Sequence, residues 1–319
     1  MSSGKYMYRN GNYVVRWRGL NLQKRCLRVG EDFMPEFPDS IDLKITNRCS
    51  WGCPYCHESS TKDGESFNYD KTIEILSQLP ELPIEIAIGG GDVLDAPDFR
   101  RLVKWLNDRG NKTRATVNIK DILKRRKTFE KELKGVEAVG VSLDSLPEFI
   151  KDWENKDSLL STIYGTSDLF PQDKTYVAHI IAGVFPYKDL ETLFDSATSI
   201  PILILGYKQW GRAKDTALPK DLEKFKETLW RLIDKMKNEA YDNFVQCRTI
   251  GFDNLALEQL DIKSLLPKDE WERIYMGDEG NHSMYIDAVK GEYAMTSRSA
   301  DRVSWDSIGL VDYFKGLRK

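Results

Sequence analysis

Three of the five cysteines fall within eight residues, in the stretch NRCSWGCPYCHESS at 47–60. Cys49, Cys53 and Cys56 are spaced Cys-x3-Cys-x2-Cys. Three thiolates on one loop are soft ligands, suited to an iron–sulfur cluster or to zinc. A four-iron cubane held by three of them leaves its fourth iron open to a substrate or cofactor. A zinc site would recruit His57, which asks two adjacent residues to reach one small ion, and no second Cys-x-x-Cys pair stands elsewhere in the chain. Gly52 permits a tight loop and Pro54 limits its freedom.

Such a loop needs a frame, and the surrounding text supplies one. IDLKIT (41–46) reads as a strand that delivers the loop at its C-terminal end, the end where sites assemble in parallel α/β folds. Helical text follows around YDKTIEILSQL. Then come the strand IEIAI (84–88) running into Gly89, Gly90, Gly91 and Asp92, the helix PDFRRLVKWLNDRG, and the strand RATVN (114–118). The basic helix DILKRRKTFEKEL, the strand AVGVSL (138–143), and the strands YVAHIIAG (176–183) and PILILGY (201–207) with their helices complete six βα units. Short apolar strands separated by amphipathic helices predict a parallel sheet, doubly wound or part of a barrel.

The flanks read differently. YMYRNGNYVVRWRG alternates around Asn-Gly, the strongest short hairpin signal, and QKRCLRV extends it. FMPEFPDS then marks a boundary near residue 38. The expected organisation is an N-terminal β-ribbon (1–38), a core domain (39–240), and a C-terminal extension (241–319) whose SMYIDAVKGEYAMT forms a hairpin.

The chain has 319 residues, 41% of them hydrophobic, and a formal net charge of −3, so the whole molecule is no generic nucleic-acid binder. Residues 1–30 hold seven basic side chains and no acidic one. That ribbon, with Tyr8, Tyr13 and Trp17 as stacking surfaces and the run Lys124–Lys127, fits a nucleic acid or nucleotide-like substrate; the competing reading is a solvated face. No apolar segment near Met1 and no long apolar run are present, so a soluble, cytoplasmic chain with reduced thiols and no membrane contact is expected. Three histidines offer no evident nucleophile–base pair, which argues against a hydrolase.

The Cys-x3-Cys-x2-Cys loop after the first strand, with Tyr55 before its third cysteine, resembles the signature of the radical S-adenosylmethionine (radical SAM) superfamily. Within it the chain resembles a group of phage and bacterial proteins without an assigned reaction. The resemblance covers roughly residues 39–240 and implies an α/β fold, a partial (β/α)6 TIM-type barrel with the β-ribbon and an α+β extension as flanks. It implies a site-differentiated four-iron four-sulfur (4Fe-4S) cluster on Cys49, Cys53 and Cys56, and S-adenosyl-L-methionine on the open iron. It also implies an electron donor such as flavodoxin or ferredoxin, reductive cleavage to a 5′-deoxyadenosyl radical, and hydrogen abstraction from a substrate.

By the same resemblance Gly89, Gly90, Gly91 and Asp92 stand where a Gly-Gly-Glu motif contacts the methionyl amino group. Asn118, Ser142 and Asp144 stand where contacts to the ribose and carboxylate fall; loop capping is the other reading of each. Ile181 would lie against adenine. His179 reads as a cavity residue or a core histidine, and Lys208 and Arg212 as an anion site or solvated charges.

Cys247, in FVQCRTIGFDN, reads as a hydrogen-atom donor or as a buried structural thiol, and Cys26 as structural. Only these two cysteines remain for the flanks, so an auxiliary cluster is not expected and a redox-neutral outcome, isomerase or transferase-like, is. Modification of a DNA base or nucleotide is the main expectation. A peptide epimerisation using Cys247 and a non-enzymatic iron–sulfur or zinc protein are the alternatives. The ribbon or the tail is the expected cover over the mouth.

Overall fold

The computed structural model describes residues 5–18, 21–28, 31–125, 128–145, 174–196, 201–239, 249–275 and 277–317. The N-terminal text forms a three-stranded antiparallel sheet, β1 (Lys5–Asn10), β2 (Tyr13–Arg18) and β3 (Asn21–Cys26). Its first turn contains Gly11 at φ +59°, where a Cβ would stand 1.7 Å from the Met34 carbonyl oxygen. Glycine is therefore demanded twice there, by the turn and by the chain crossing it.

The main sheet has ten strands. Those that position the site are β4 (Ser40–Thr46), β5 (Glu85–Gly90), β6 (Lys112–Asn118), β7 (Ala138–Leu143), β8 (Thr175–Ile181), β9 (Ile202–Leu205) and β10 (Ile250–Phe252). All seven pair in parallel with their sequence neighbours. Helices α1 (Tyr69–Leu76), α2 (Phe99–Asp108), α3 (Ile119–Lys124), α4 (Phe129–Glu132), α5 (Asp189–Ser196) and α6 (Leu222–Glu239) lie between them. At the other edge β11 (Ser283–Asp287) pairs in parallel with β4, and β12 (Glu292–Ala294) and β13 (Val303–Ser304) continue the sheet antiparallel.

One face of this sheet carries the core. Ile41, Leu43, Ile45, Ile86, Ile88, Val139, Val141 and Ile180 are buried in one cluster with Leu76, Leu102, Val103 and Leu106 of the helices. The alternate residues, among them Asp42, Ala87, Thr116, His179 and Leu203, are less covered and line the inner face. An α/β parallel sheet with helices on one face and a partly open inner face is a partial TIM-type barrel.

The ribbon sits at the base of this barrel rather than over its mouth. Asp39, just before β4, accepts from Asn10 Nδ2 (2.9 Å) and Tyr13 Oη (2.6 Å) and pairs with Lys24 (2.7 Å). These contacts fall at the N-terminal ends of the strands, opposite the cysteine loop. Tyr13 and Trp17 are 0% exposed, so they are core and not stacking surfaces. Lys24 is consumed by Asp39, and Arg125 of the second basic run by Asp92 (3.1 Å), Asp95 and Glu132 (3.3 Å). Arg126 and Lys127 lie outside the described residues. Of the ribbon's basic side chains Lys24 is spent on Asp39, while Arg9, Arg25 and Arg28 stay exposed, and the ribbon is remote from the loop.

Candidate functional site

The cysteine loop is closed by backbone bonds across its neck. Asn47 N donates to Glu65 O (2.7 Å), Thr61 N to Asn47 O (2.9 Å), and Cys49 N to Thr61 O (2.8 Å). Inside it Cys56 N donates to Cys53 O (3.2 Å), and Gly52 takes φ +62°. Arg212, after β9, clamps the loop from across the barrel. Its Nε donates to Cys53 O (2.9 Å), its Nη1 to Ser60 O (2.6 Å) and its backbone N to Cys56 O (3.0 Å). Arg212 is therefore a loop clamp and not a free cation at the mouth. Gly211 lets it approach, since a Cβ there would stand 2.3 Å from the His57 oxygen.

The three glycines after β5 have different tasks. A Cβ on Gly90 would meet Thr46 O at 2.4 Å, and one on Gly91 would meet Arg48 O at 2.2 Å. Both let the second strand's turn press against the loop's neck, which Gly91 N and Asp92 N bond (both 2.7 Å). A Cβ on Gly89 would meet nothing within 4 Å, so Gly89 borders open space on the inner face. Asp92 caps the turn by accepting from Leu94 N (3.0 Å) and pairs with Arg125. It also lies near Asp121, whose carboxyl is pushed up to about 7 by burial and by Asp92. Asp121 in turn accepts from Trp51 Nε1 (2.8 Å) in the cysteine loop.

Tyr55 links the loop to β7's end. Its phenol lies between the Cys53 thiol and the Asp144 carboxylate, and burial and Asp144 push it up. Asp144 is held by Lys120 Nζ (2.6 Å), and Asn118 caps α3 by accepting from Lys120 N (2.9 Å). Ser142 and Ile181 lie on the inner face, half-buried. Cys247 lies outside the described residues.

Lys44 and Glu58, missed in the sequence, form a buried polar knot under the loop with Asp287, which the sequence reads as a substrate contact or part of a capping sheet. Lys44 Nζ, on β4, pairs with Glu58 Oε2 (2.6 Å) and Asp287 Oδ2 (3.0 Å); the side chains are 5%, 12% and 5% exposed. Glu58 also faces His57 Nε2 (3.4 Å) and accepts from Tyr285 Oη (3.1 Å), while Arg302 lies over the Tyr285 ring. Burial opposes ionisation of Glu58, yet His57 and Lys44 hold its carboxyl well below the usual range. The knot ties the residues following Cys56 to β4 and β11 at once. A lysine in the middle of an apolar strand was the available signal.

Do these residues fit a cluster? Cys49, Cys53 and Cys56 are free thiols, half-buried on one braced loop. Burial pushes the Cys49 and Cys53 thiols up, so an electropositive centre is needed to keep them as thiolates. Among the described residues no three His, Cys, Asp or Glu side chains gather as a group that could hold a single ion. His57 is engaged by Glu58. The compact Cys3His zinc set is therefore not assembled, whereas a multi-iron cluster can span separated thiols.

A cysteine-bearing loop at the C-terminal end of the first strand of a partial barrel defines a class of cluster-binding protein. The Radical SAM superfamily profile matches residues 43–170. SuiB of Streptococcus suis bound to S-adenosylmethionine superposes with a TM-score of 0.60, at 14% identity, over 88% of this chain and 66% of that one. SuiB bound to its precursor peptide SuiA superposes at 0.58, again 14% identical, over 88% and 65%. The PqqA peptide cyclase of Bradyrhizobium diazoefficiens is 29% identical over 118 residues, which is 36% of this chain and 31% of the cyclase. The chain thus spans about a third of that curated relative. The profile match spans 128 of the 319 residues, and the superfamily it describes uses a 4Fe-4S cluster and S-adenosylmethionine. Among the described residues no helix is long and apolar enough to cross a membrane.

Proposed function

We propose that this protein is a radical SAM enzyme that modifies a peptide. The observation that carries the reading is the similarity to the PqqA peptide cyclase, supported by a fold shared with SuiB, which has been captured with a precursor peptide. A nucleotide substrate, the main expectation from the sequence, has less support, because Tyr13 and Trp17 are core and the similar proteins act on or bind peptides. The cofactors would be carried by Cys49, Cys53 and Cys56, with Gly89, Ser142 and Ile181 along the open inner face and Tyr55, Asn118 and Asp144 bracing it.

When bound, the cluster and S-adenosylmethionine supply a hydrogen-abstracting radical. The chain's own part is position and exclusion of water. Arg212 fixes the loop through three carbonyl oxygens, the Lys44 knot fixes it from below, and Trp51 and Tyr55 fix it laterally. The reaction outcome would be set by what the inner face presents to the peptide. Cys247 stays a proposed hydrogen donor, tested by a Cys247→Ala variant that should stop before full turnover.

The test is 5′-deoxyadenosine formation by mass spectrometry. The protein is reconstituted anaerobically and given S-adenosylmethionine and a reductant, with Cys53→Ala as control. Candidate precursor peptides and DNA oligonucleotides are compared. Stimulation by a peptide, with a mass change in that peptide, is expected; stimulation by DNA alone would overturn the reading.

A further inference from the structure

The inner face of the sheet is lined mostly by small side chains. By register Asp42 lies beside Ala87, Ala87 beside Arg114, and Arg114 beside Ala138; Lys44 lies beside Gly89, and Thr116 beside Gly140. The space beside Gly89 is open, whereas that beside Gly140 is filled by the His179 ring, so the hollow lies on the β4–β5 side. Most charges facing this hollow already have partners. Arg114 pairs with Glu85 (2.7 Å), Lys208 donates to Ser297 Oγ (3.0 Å), and Glu279 pairs with Arg298 (3.1 Å). Asp253 accepts from the backbone N–H groups of Gly206 (2.9 Å) and Ala256 (2.7 Å).

Several inward-facing polar groups, Thr116 and Ser142 among them, have no hydrogen-bond or ion-pair partner among the described residues, and two are titratable. The first is Asp42. Water reaches it, yet protein encloses it, and enclosure pushes its carboxyl up. Lys208 favours its charge, while Glu279 and Asp253 oppose it. A carboxylate in that field is left wanting a donor. It sits four residues below the strand's Thr46 end, on the order of 13 Å into the barrel.

The second is His179. It lies on β8, four strands round the sheet from β4, on the same inner face. Its ring lies against β7 at Gly140, where a Cβ would stand 2.2 Å from it. Desolvation holds its pKa at about 4, so it is a neutral hydrogen-bonding group. A glycine opposite an enclosed, unpartnered imidazole makes room for a built wall, not for a packed core.

We propose that this hollow is an anchoring site for a cationic side chain of the substrate, an ammonium or guanidinium, with Asp42 as its counter-ion and His179 elsewhere on the same inner face. The inference deepens the peptide reading above and rests on it. An acidic side chain placed against Asp42 would be repelled by it.

The reconstituted full-length protein with S-adenosylmethionine is titrated with N-acetyl-lysine amide, N-acetyl-arginine amide, N-acetyl-norleucine amide and N-acetyl-glutamate amide, followed by ligand-observed NMR. The lysine or arginine probe binds and the other two do not. Asp42→Asn weakens that binding at least fivefold, Asp42→Glu keeps part of it, and both variants melt within a few degrees of the parent, since Asp42 bonds nothing in the fold. Equal binding by parent and Asp42→Asn, binding of the glutamate probe as tight as lysine, or no binding by either cationic probe overturns the proposal. The two readings fail separately. Peptide-stimulated 5′-deoxyadenosine with no cation preference removes the anchor alone, whereas cation binding with no peptide stimulation removes the peptide reading alone.

Discussion

Replacing Lys44 by methionine keeps the length of its side chain and removes the one charge that lies between Glu58 and Asp287. At an effective dielectric constant of about 20, two unit charges about 3 Å apart attract by roughly 5–6 kcal/mol, before desolvation is subtracted. Stranding one partner of a buried pair costs about 3–5 kcal/mol net. Here both carboxylates keep some donors. Glu58 retains Tyr285 Oη and His57, and Asp287 Oδ1 retains the backbone N–H groups of Val289 and Lys290 (3.1 Å each). The expected loss is therefore about 3 kcal/mol, the lower end of that range. Urea unfolding of the cluster-free protein at pH 7.5 measures it. A triple variant, Lys44→Met with Glu58→Gln and Asp287→Asn, removes the stranded charges and should recover most of the loss. A single-variant loss below about 1 kcal/mol, the size of an exposed pair, would refute the idea that Lys44 neutralises two buried acids.

Arg212→Ala removes two charge-assisted bonds to the cysteine loop and should cost about 2–4 kcal/mol, with fewer irons retained per chain on reconstitution. Gly91→Ala forces a methyl group against the Arg48 backbone; it should cost about 3 kcal/mol or more and also lower iron content. Asp121 carries its proton up to about pH 7 in the folded chain but only to 3.8 unfolded, so the folded state holds more protons in that window. Stability contributed by this group falls as pH rises from about 4 to 7 and stays lost above. The difference in melting temperature, Asp121→Asn minus parent, should therefore grow more positive across that range; a flat difference contradicts the raised carboxyl. Gly140→Ala should destabilise by about 1–3 kcal/mol through the His179 ring, and His179→Ala in the same chain should restore most of it.

The parts that could be read from the chain alone are those written locally. Cysteine spacing, the strand before it, and the alternation of apolar strands with amphipathic helices each sit within a window of a dozen residues. What stayed hidden is written across the chain. Lys44 meets Asp287 from 243 positions away, and Arg212 reaches Cys53 from 159. Period-two patterning says that Tyr13 and Trp17 share a face; it does not say that the face is covered. The acid after three glycines suggested a cofactor contact, but Arg125 and the Leu94 N–H already engage it. The hairpin text of 283–296 showed that two strands would pair with each other. Nothing in it showed that the first would also lie parallel to β4.

That last pairing has a consequence for how the molecule is made. A strand near the start of the main sheet finds one of its two neighbours only after some 240 further residues have been synthesised. Until β11 leaves the ribosome, β4 presents a bare edge, and Lys44 has one carboxylate to answer it instead of two. The loop holding the three thiols is thus among the last regions to be braced, although it is among the first to be translated. A chain interrupted before residue 283 would hold every cysteine of the motif on an unfinished frame. Docking of β11 therefore completes the frame of the cysteine loop, and does so late in the chain.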